Sequence, residues 1–202
     1  MKTQQKDNTT FPFKLSLRKQ ALRELDAPVV METHGGWGKL SANCYASFPG
    51  VVFEQLPEKA AFLARQRPNW AVYEADCVRA IREGAGNHLD VNFLDLDPYG
   101  EPWPVLDAFL ESDRRLPARL VIVVNDGLRK GLRMGVGWHS KSLEAVCARH
   151  GNAWLHDNYL AVCQEMLRDK AAKAGFSLRR WSAYYCGHAK TMSHYAAVLG
   201  KI

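Results

Sequence analysis

Residues 92–100 read Asn92-Phe93-Leu94-Asp95-Leu96-Asp97-Pro98-Tyr99-Gly100, an apolar run that ends in two acids, a proline, an aromatic and a glycine. Phe93, Leu94 and Leu96 suit a short buried strand, which stops where proline lacks a ladder donor and glycine lets the chain turn. Asp97 to Gly100 is also an ordinary β-turn pattern, with proline second and glycine fourth. The segment alone therefore supports two readings, a plain turn and a strand end that faces a ligand.

The flanking sequence chooses a frame for it. Short apolar runs recur at Val29–Met31, Val51–Phe53, Trp70–Tyr73, Val91–Leu96 and Leu120–Val124. Between and after them lie segments of helical period: Pro57–Arg67 with proline in its first turn, Val78–Glu83, and Leu155–Ala174 with Gly175 just past its end. Strands alternating with helices imply a parallel sheet, because parallel neighbours need crossover connections. Two later runs, Ser177–Tyr185 and Met192–Leu199, have no helix-length segment between them and are expected to pair antiparallel. The expected fold is α/β, a doubly wound, mostly parallel sheet closed by an antiparallel C-terminal strand pair.

The 202 residues are expected to form one domain over residues 11–202, preceded by a frayed polar tail at residues 1–10. The longest aliphatic run, Leu120–Val124, is far too short to span a membrane. The polar start MKTQQKDNTT is not followed by an apolar stretch, so no secretory signal and a cytoplasmic location are expected. Five cysteines, Cys44, Cys77, Cys147, Cys163 and Cys186, show no CxxC pair, so reduced thiols and no metal site are expected. Charge is uneven: residues 1–101 hold 12 basic and 13 acidic side chains, residues 102–202 hold 15 and 8. The basic second half permits an anionic partner such as nucleic acid.

The first expected strand leads into Glu32-Thr33-His34-Gly35-Gly36-Trp37-Gly38, a turn where glycines let a ligand approach the backbone. A Walker phosphate loop is excluded, since Thr33 stands where its first glycine belongs and Leu40 where Ser or Thr belongs. A dinucleotide fingerprint has Ser41 in place of its third small residue, which keeps a nicotinamide-dependent oxidoreductase open as an alternative. The next strand ends in Glu54, 18 residues after Gly36, near the roughly 20 at which a carboxylate meets ribose hydroxyls in such folds. The strand after that runs into Glu74-Ala75-Asp76-Cys77.

The series Glu32, Gly36, Gly38, followed by acids at successive strand ends, resembles the nucleoside site of class I S-adenosylmethionine-dependent methyltransferases. The Asp97-Pro98-Tyr99 segment resembles the catalytic motif of the members that methylate amino groups. In its longer form, Leu94 to Leu110, it is similar to the tRNA guanine exocyclic-amine methyltransferases, with Glu101 in place of that family's serine. The likeness covers about Pro28 to Asp126 and fades afterwards.

The resemblance implies a Rossmann-like methyltransferase fold that holds S-adenosylmethionine through Glu32, His34, Gly35, Gly36, Gly38, Glu54, Asp76, Cys77 and Asp95. Asp97 and the Pro98 carbonyl would accept hydrogen bonds from a nucleobase amine, and Tyr99 would stack on the base. RNA is favoured over DNA as the acceptor. The 76 residues after Asp126 must also complete the sheet, so recognition is expected from Arg129-Lys130-Arg133, Arg179-Arg180 or a partner protein. Trp138, Trp181, Tyr184 and Tyr185 are candidates for stacking or for core. A catalytically inactive, nucleic-acid- or partner-binding domain on the same scaffold is the remaining alternative.

Overall fold

The computed structural model describes residues 10–98, 100–134 and 140–202. Along the chain run α1 (Phe11–Leu22), β1 (Val30–Glu32), α2 (Lys39–Cys44), β2 (Gly50–Glu54), α3 (Pro57–Gln66), β3 (Ala71–Glu74), α4 (Cys77–Arg82) and β4 (Phe93–Leu96). They are followed by α5 (Trp103–Leu110), β5 (Arg119–Asp126), α6 (Leu128–Met134), α7 (Lys141–His150), α8 (Asn152–Lys173), β6 (Phe176–Cys186) and β7 (Met192–Lys201). Local chemistry sets several boundaries. Pro57 and Glu58 open α3, and the Asp76 carboxylate caps α4 by accepting the Arg79 N–H at 2.9 Å.

Seven strands form one sheet in the order β3-β2-β1-β4-β5-β7-β6. β1 to β5 are parallel, and β7 enters antiparallel between β5 and β6. The doubly wound sheet with its C-terminal antiparallel pair is thus the expected architecture. Its strand order reverses between β1 and β4, which are hydrogen-bonded neighbours with Glu32 opposite Asp95. In open α/β sheets, ligands bind outside the carboxyl ends of the strands at such a switch point.

Alternation along the strands divides the interior into two layers. One face packs Met31, Val51, Phe53, Leu94, Ile122 and Val124 against α4, α5 and α8. The other packs Val30, Val52, Phe93, Val121 and Val123 against Leu17, Leu22, Tyr45 and Leu63.

Strand and helix limits shift by a few residues from those expected, the glycine turn leads into helix α2 as a strand-to-helix turn should, and four helices, α1, α5, α6 and α7, were not anticipated. α1 is the instructive omission. Phe11, Phe13, Leu15 and Leu17 alternate with period two along the sequence, yet the buried set is Leu17, Arg18, Ala21 and Leu22, a helical stripe that includes a charge. Hydrophobic periodicity does not reveal a helix whose inner face carries an arginine.

Candidate functional site

β1 ends in Glu32, which is 1% exposed, and neither of its carboxyl oxygens has a hydrogen-bond partner among the described residues. Burial, reinforced by the negative charge of nearby Asp95, pushes its pKa well above the ordinary carboxylate range. An unpartnered buried carboxyl is costly and calls for an explanation.

The glycine turn follows directly. Gly36 and Gly38 hold left-handed backbone at φ 53° and 67°, and a Cβ on Gly36 would meet open space. Gly35 differs. A Cβ there would lie 2.5 Å from a Val52 methyl and 2.6 Å from a Leu63 methyl, so its smallness serves close packing on β2 and α3.

Glu54, at the end of β2, faces this turn. One oxygen accepts the Gly36 N–H at 2.8 Å and the other accepts the Leu56 N–H at 2.9 Å. Each oxygen keeps a further acceptor position. Asp76 bonds the Gln55 amide at 2.8 Å besides capping α4. His34 bonds the Thr33 hydroxyl through Nδ1, its Nε2 lies 3.9 Å from the Cys77 sulfur, and burial lowers its pKa. Burial raises the Cys77 thiol to about 11, so it stays protonated and unreactive at neutral pH. Trp37, half exposed, stands edge-on to Phe62 beside the turn.

β4 delivers the other half of the site. The Thr33 N–H and hydroxyl both bond the Asp95 carbonyl, at 3.1 and 3.0 Å, tying the root of the glycine turn to the Asp-Pro segment. The Asp95 carboxylate has a different task from the cofactor contact expected of it. It is fully buried, bonded bidentately by Arg18 of α1 at 2.5 and 2.7 Å and by the Tyr45 hydroxyl at 2.5 Å. With both oxygens engaged, it anchors α1 to the sheet.

Two residues on, Asp97 is partly exposed and pairs with Lys14 of α1 at 2.8 and 2.9 Å. Burial pushes its pKa up, but the charges of Lys14 and Arg18 outweigh this and hold it below the usual carboxylate range. The Pro98 carbonyl accepts no hydrogen bond from a described residue. Tyr99, the expected stacking residue, lies outside the described residues, as does Trp138. Glu101 accepts the Ser140 hydroxyl at 2.7 Å and the Ser142 N–H at 3.2 Å, so it holds the start of α7.

Lys14 and Arg18 are the site residues that sequence reasoning missed, and a signal for them existed. Four helical residues rise about 6 Å, and two strand residues span about 6.6 Å. A Lys-x-x-x-Arg pair on a helix therefore matches an Asp-x-Asp pair on a strand, as Lys14 and Arg18 match Asp97 and Asp95. The expected basic patches are rearranged. Arg129 is buried, donating to the His156 and Lys190 carbonyls and lying over the Tyr185 ring, and Arg180 pairs with Glu24 at 2.5 Å. Trp181, partly buried, packs against the core with its ring 5.0 Å from that of Tyr195, and the Tyr184 hydroxyl bonds the Phe13 carbonyl of α1. Asp126 sits on the opposite sheet face, bonded to Tyr159 at 2.6 Å, its pKa raised by burial to about 6.

Among the described residues no cluster of three or more metal-ligating side chains occurs, and no helix is long and apolar enough to cross a membrane. No protein-family model matches the chain, and no curated protein matches it in sequence. Solved structures do match in fold. TYW2 of M. jannaschii in complex with AdoMet aligns over the whole chain and 80% of its own length, at 16% identity and a TM-score of 0.61. The plantazolicin methyltransferase BamL, in complex with a triazolic desmethylPZN analog and SAH, aligns over 98% of the chain and 86% of its own, at 9% identity and 0.59. PH1948 of Pyrococcus horikoshii, provisionally assigned as an RNA methyltransferase, aligns over 95% of the chain and 85% of its own, at 13% identity and 0.55. The chain has the Rossmann-like fold of these methyltransferases. Their differing acceptors mean that the fold does not select one.

Proposed function

We propose that the chain is an S-adenosylmethionine-dependent methyltransferase acting on an exocyclic amino group of a nucleobase, with RNA as the favoured acceptor. The observation that carries the reading is the convergence at the switch point. The open Gly36 turn, the orphaned Glu32 carboxyl and Asp97-Pro98 leave from the ends of adjacent strands, and Glu54 reaches the same turn from β2. A plain turn at Asp97–Gly100 would give no reason for a fully buried carboxyl without a partner beside it.

The residues present fit the cofactor. Glu32 is a buried acceptor without a donor among the described residues, which a ligand ammonium would supply; Gly36 leaves room for backbone approach; Glu54 retains acceptor positions for ribose hydroxyls. Asp76 and His34 would border the nucleoside side. When bound, the cofactor supplies an electrophilic methyl group on a sulfonium. Asp97, ionised and held low, is suited to accept a hydrogen bond from the amine rather than to act as a strong base. With the Pro98 carbonyl, which no described residue engages, it would orient the nitrogen and leave its lone pair free for attack, and positioning of this kind is a large part of such catalysis.

The test is a calorimetric titration with S-adenosylmethionine beside Glu54→Ala, with NADH as a second ligand. One-site binding to the wild type, lost in Glu54→Ala and absent for NADH, is expected. A folded protein that binds NADH instead, or neither ligand, overturns the reading.

A further inference from the structure

The second half of the chain carries the excess positive charge, and the structure concentrates part of it in one place. A cavity of about 560 Å³ opens between α1, α6 and the β6–β7 turn, within the roughly 300–1,000 Å³ typical of ligand sites. Lys14, Lys130, Arg133 and His188 line it together with the hydroxyl residues Thr10 and Thr191, and no acidic side chain among the described residues does. Lys130 and Arg133 lie three apart on α6, hence on one face of that helix, and neither forms an ion pair with a described residue.

Two further observations bear on what the cavity is for. Its far wall is the turn at His188–Lys190, where Ala189 and Lys190 both hold left-handed backbone, at φ 52° and 56°. Non-glycine residues seldom adopt this region because Cβ crowds the following carbonyl oxygen, and such strain clusters at binding sites. The buried Arg129 guanidinium holds the turn in place through the Lys190 carbonyl. The near wall is Lys14, whose ammonium also touches Asp97. The cavity is therefore contiguous with the residue proposed to present the acceptor.

We infer that this cavity is a phosphate-binding subsite that seats the phosphate ester of the acceptor, with Lys130 and Arg133 as its principal cations and Lys14 bridging it to Asp97. The role of the ligand as acceptor rests on the methyl-transfer reading; its binding does not. Lys130 and Arg133, without an ion-pair partner among the described residues, and Lys14 beside them offer donors for phosphate oxygens around a small concavity, and Lys and Arg contacts to a nucleic-acid backbone position the ligand without reading its sequence. A base attached to that phosphate would then reach toward Asp97.

The test measures fluorescence polarisation of a short fluorescein-labelled oligoribonucleotide, without cofactor, across a range of salt. Wild-type protein is expected to bind, with affinity falling as salt rises. The charge reversal K130E/R133E is expected to weaken binding roughly tenfold or more and to flatten the log–log salt slope by about 1.4, the loss for two single-strand phosphate contacts. R115A, on the exposed segment that leads into the start of β5 at the opposite end of the sheet, is expected to behave as wild type. Competition by adenosine monophosphate would mark a free nucleotide as sufficient carrier of the phosphate, and failure to compete would mark the strand. No binding by the wild type, or equal binding by wild type and K130E/R133E, overturns the assignment. S-adenosylmethionine titration of K130E/R133E keeps the two questions apart. Oligonucleotide binding through the cavity without cofactor binding would sink the transfer reading alone, and intact cofactor binding with an indifferent cavity would sink this inference alone.

Discussion

Asp95 and Asp97 leave the same strand on the same face, carry the same charge and each meet a cation from α1, yet their surroundings differ. Around Asp95 every polar atom of the carboxylate is matched: Arg18 forks onto it, Tyr45 closes the remaining side, and neither charge of the ion pair reaches solvent. Around Asp97 there is one lysine, and both members of the pair retain about a fifth of their exposure. The first arrangement is bidentate and enclosed, suited to fixing a helix. The second is a single point charge on a flexible stem, which an incoming ligand can displace. A shift of two residues along a strand separates an anchor from an available functional group.

The comparison is most sharply broken by Arg18→Met. It would leave Asp95 as a buried carboxylate without its cation, and removing one partner of a buried pair costs about 3–5 kcal/mol. Urea unfolding should show that loss; a variant as stable as wild type would mean that Asp95 anchors nothing. Asp97→Asn is next. Stability should change by less than about 1 kcal/mol, as for a partly exposed pair, while methyl incorporation from radiolabelled S-adenosylmethionine into total tRNA should fall about 100-fold or more. Retained wild-type rates would remove Asp97 from the mechanism.

Glu32→Gln sharpens the contrast from the cofactor side. The folded-state pKa of Glu32 is raised above 4.5, so its carboxyl is tolerated fully below that pH and destabilises progressively as pH rises through the folded value. The glutamine variant should therefore melt higher at neutral pH, its advantage should vanish in acid, and it should bind S-adenosylmethionine more weakly. Thermal melts across pH and the titration together check this. A variant that melts no higher at neutral pH would mean that the buried carboxyl carries no cost.

Lys14→Met should have the smallest effect. Its partly exposed pair contributes no more than about 1 kcal/mol, but Asp97 would lose the charge that holds its pKa down. The stabilisation linked to Asp97 ionisation is present above its unfolded value and lost as pH falls through the depressed folded one. The acid limb of a pH–activity profile should accordingly move to higher pH in the variant, and an unmoved limb would show that Lys14 does not tune Asp97.

The same contrast explains how legible the molecule was. The sheet could be read because each strand is a local apolar run and parallel neighbours demand helices between them, as Val51–Phe53, Pro57–Arg67 and Trp70–Tyr73 illustrate. The glycine turn and Glu54 could be read because their spacing is local to one β-α-β unit, and the structure brings them to 2.8 Å. α1 could not be read in the same way. Its inner face carries Arg18, whose partner lies 77 residues away, so its amphipathic logic is completed by another element. The basic patch at Arg129-Lys130-Arg133 was visible as composition only; folding buries Arg129 under Tyr185 and turns Lys130 and Arg133 into a cavity.

By itself the sequence determined the alternating α/β sheet, its antiparallel close and the acids at the strand ends, because those features follow from side-chain periodicity and turn chemistry within short windows. Only the tertiary structure decided which acid is an anchor and which is available, that Glu32 has no partner among the described residues, and where Lys14, Lys130 and Arg133 gather. Those properties depend on burial and on charges far apart in the chain, and both exist only once the layers have packed.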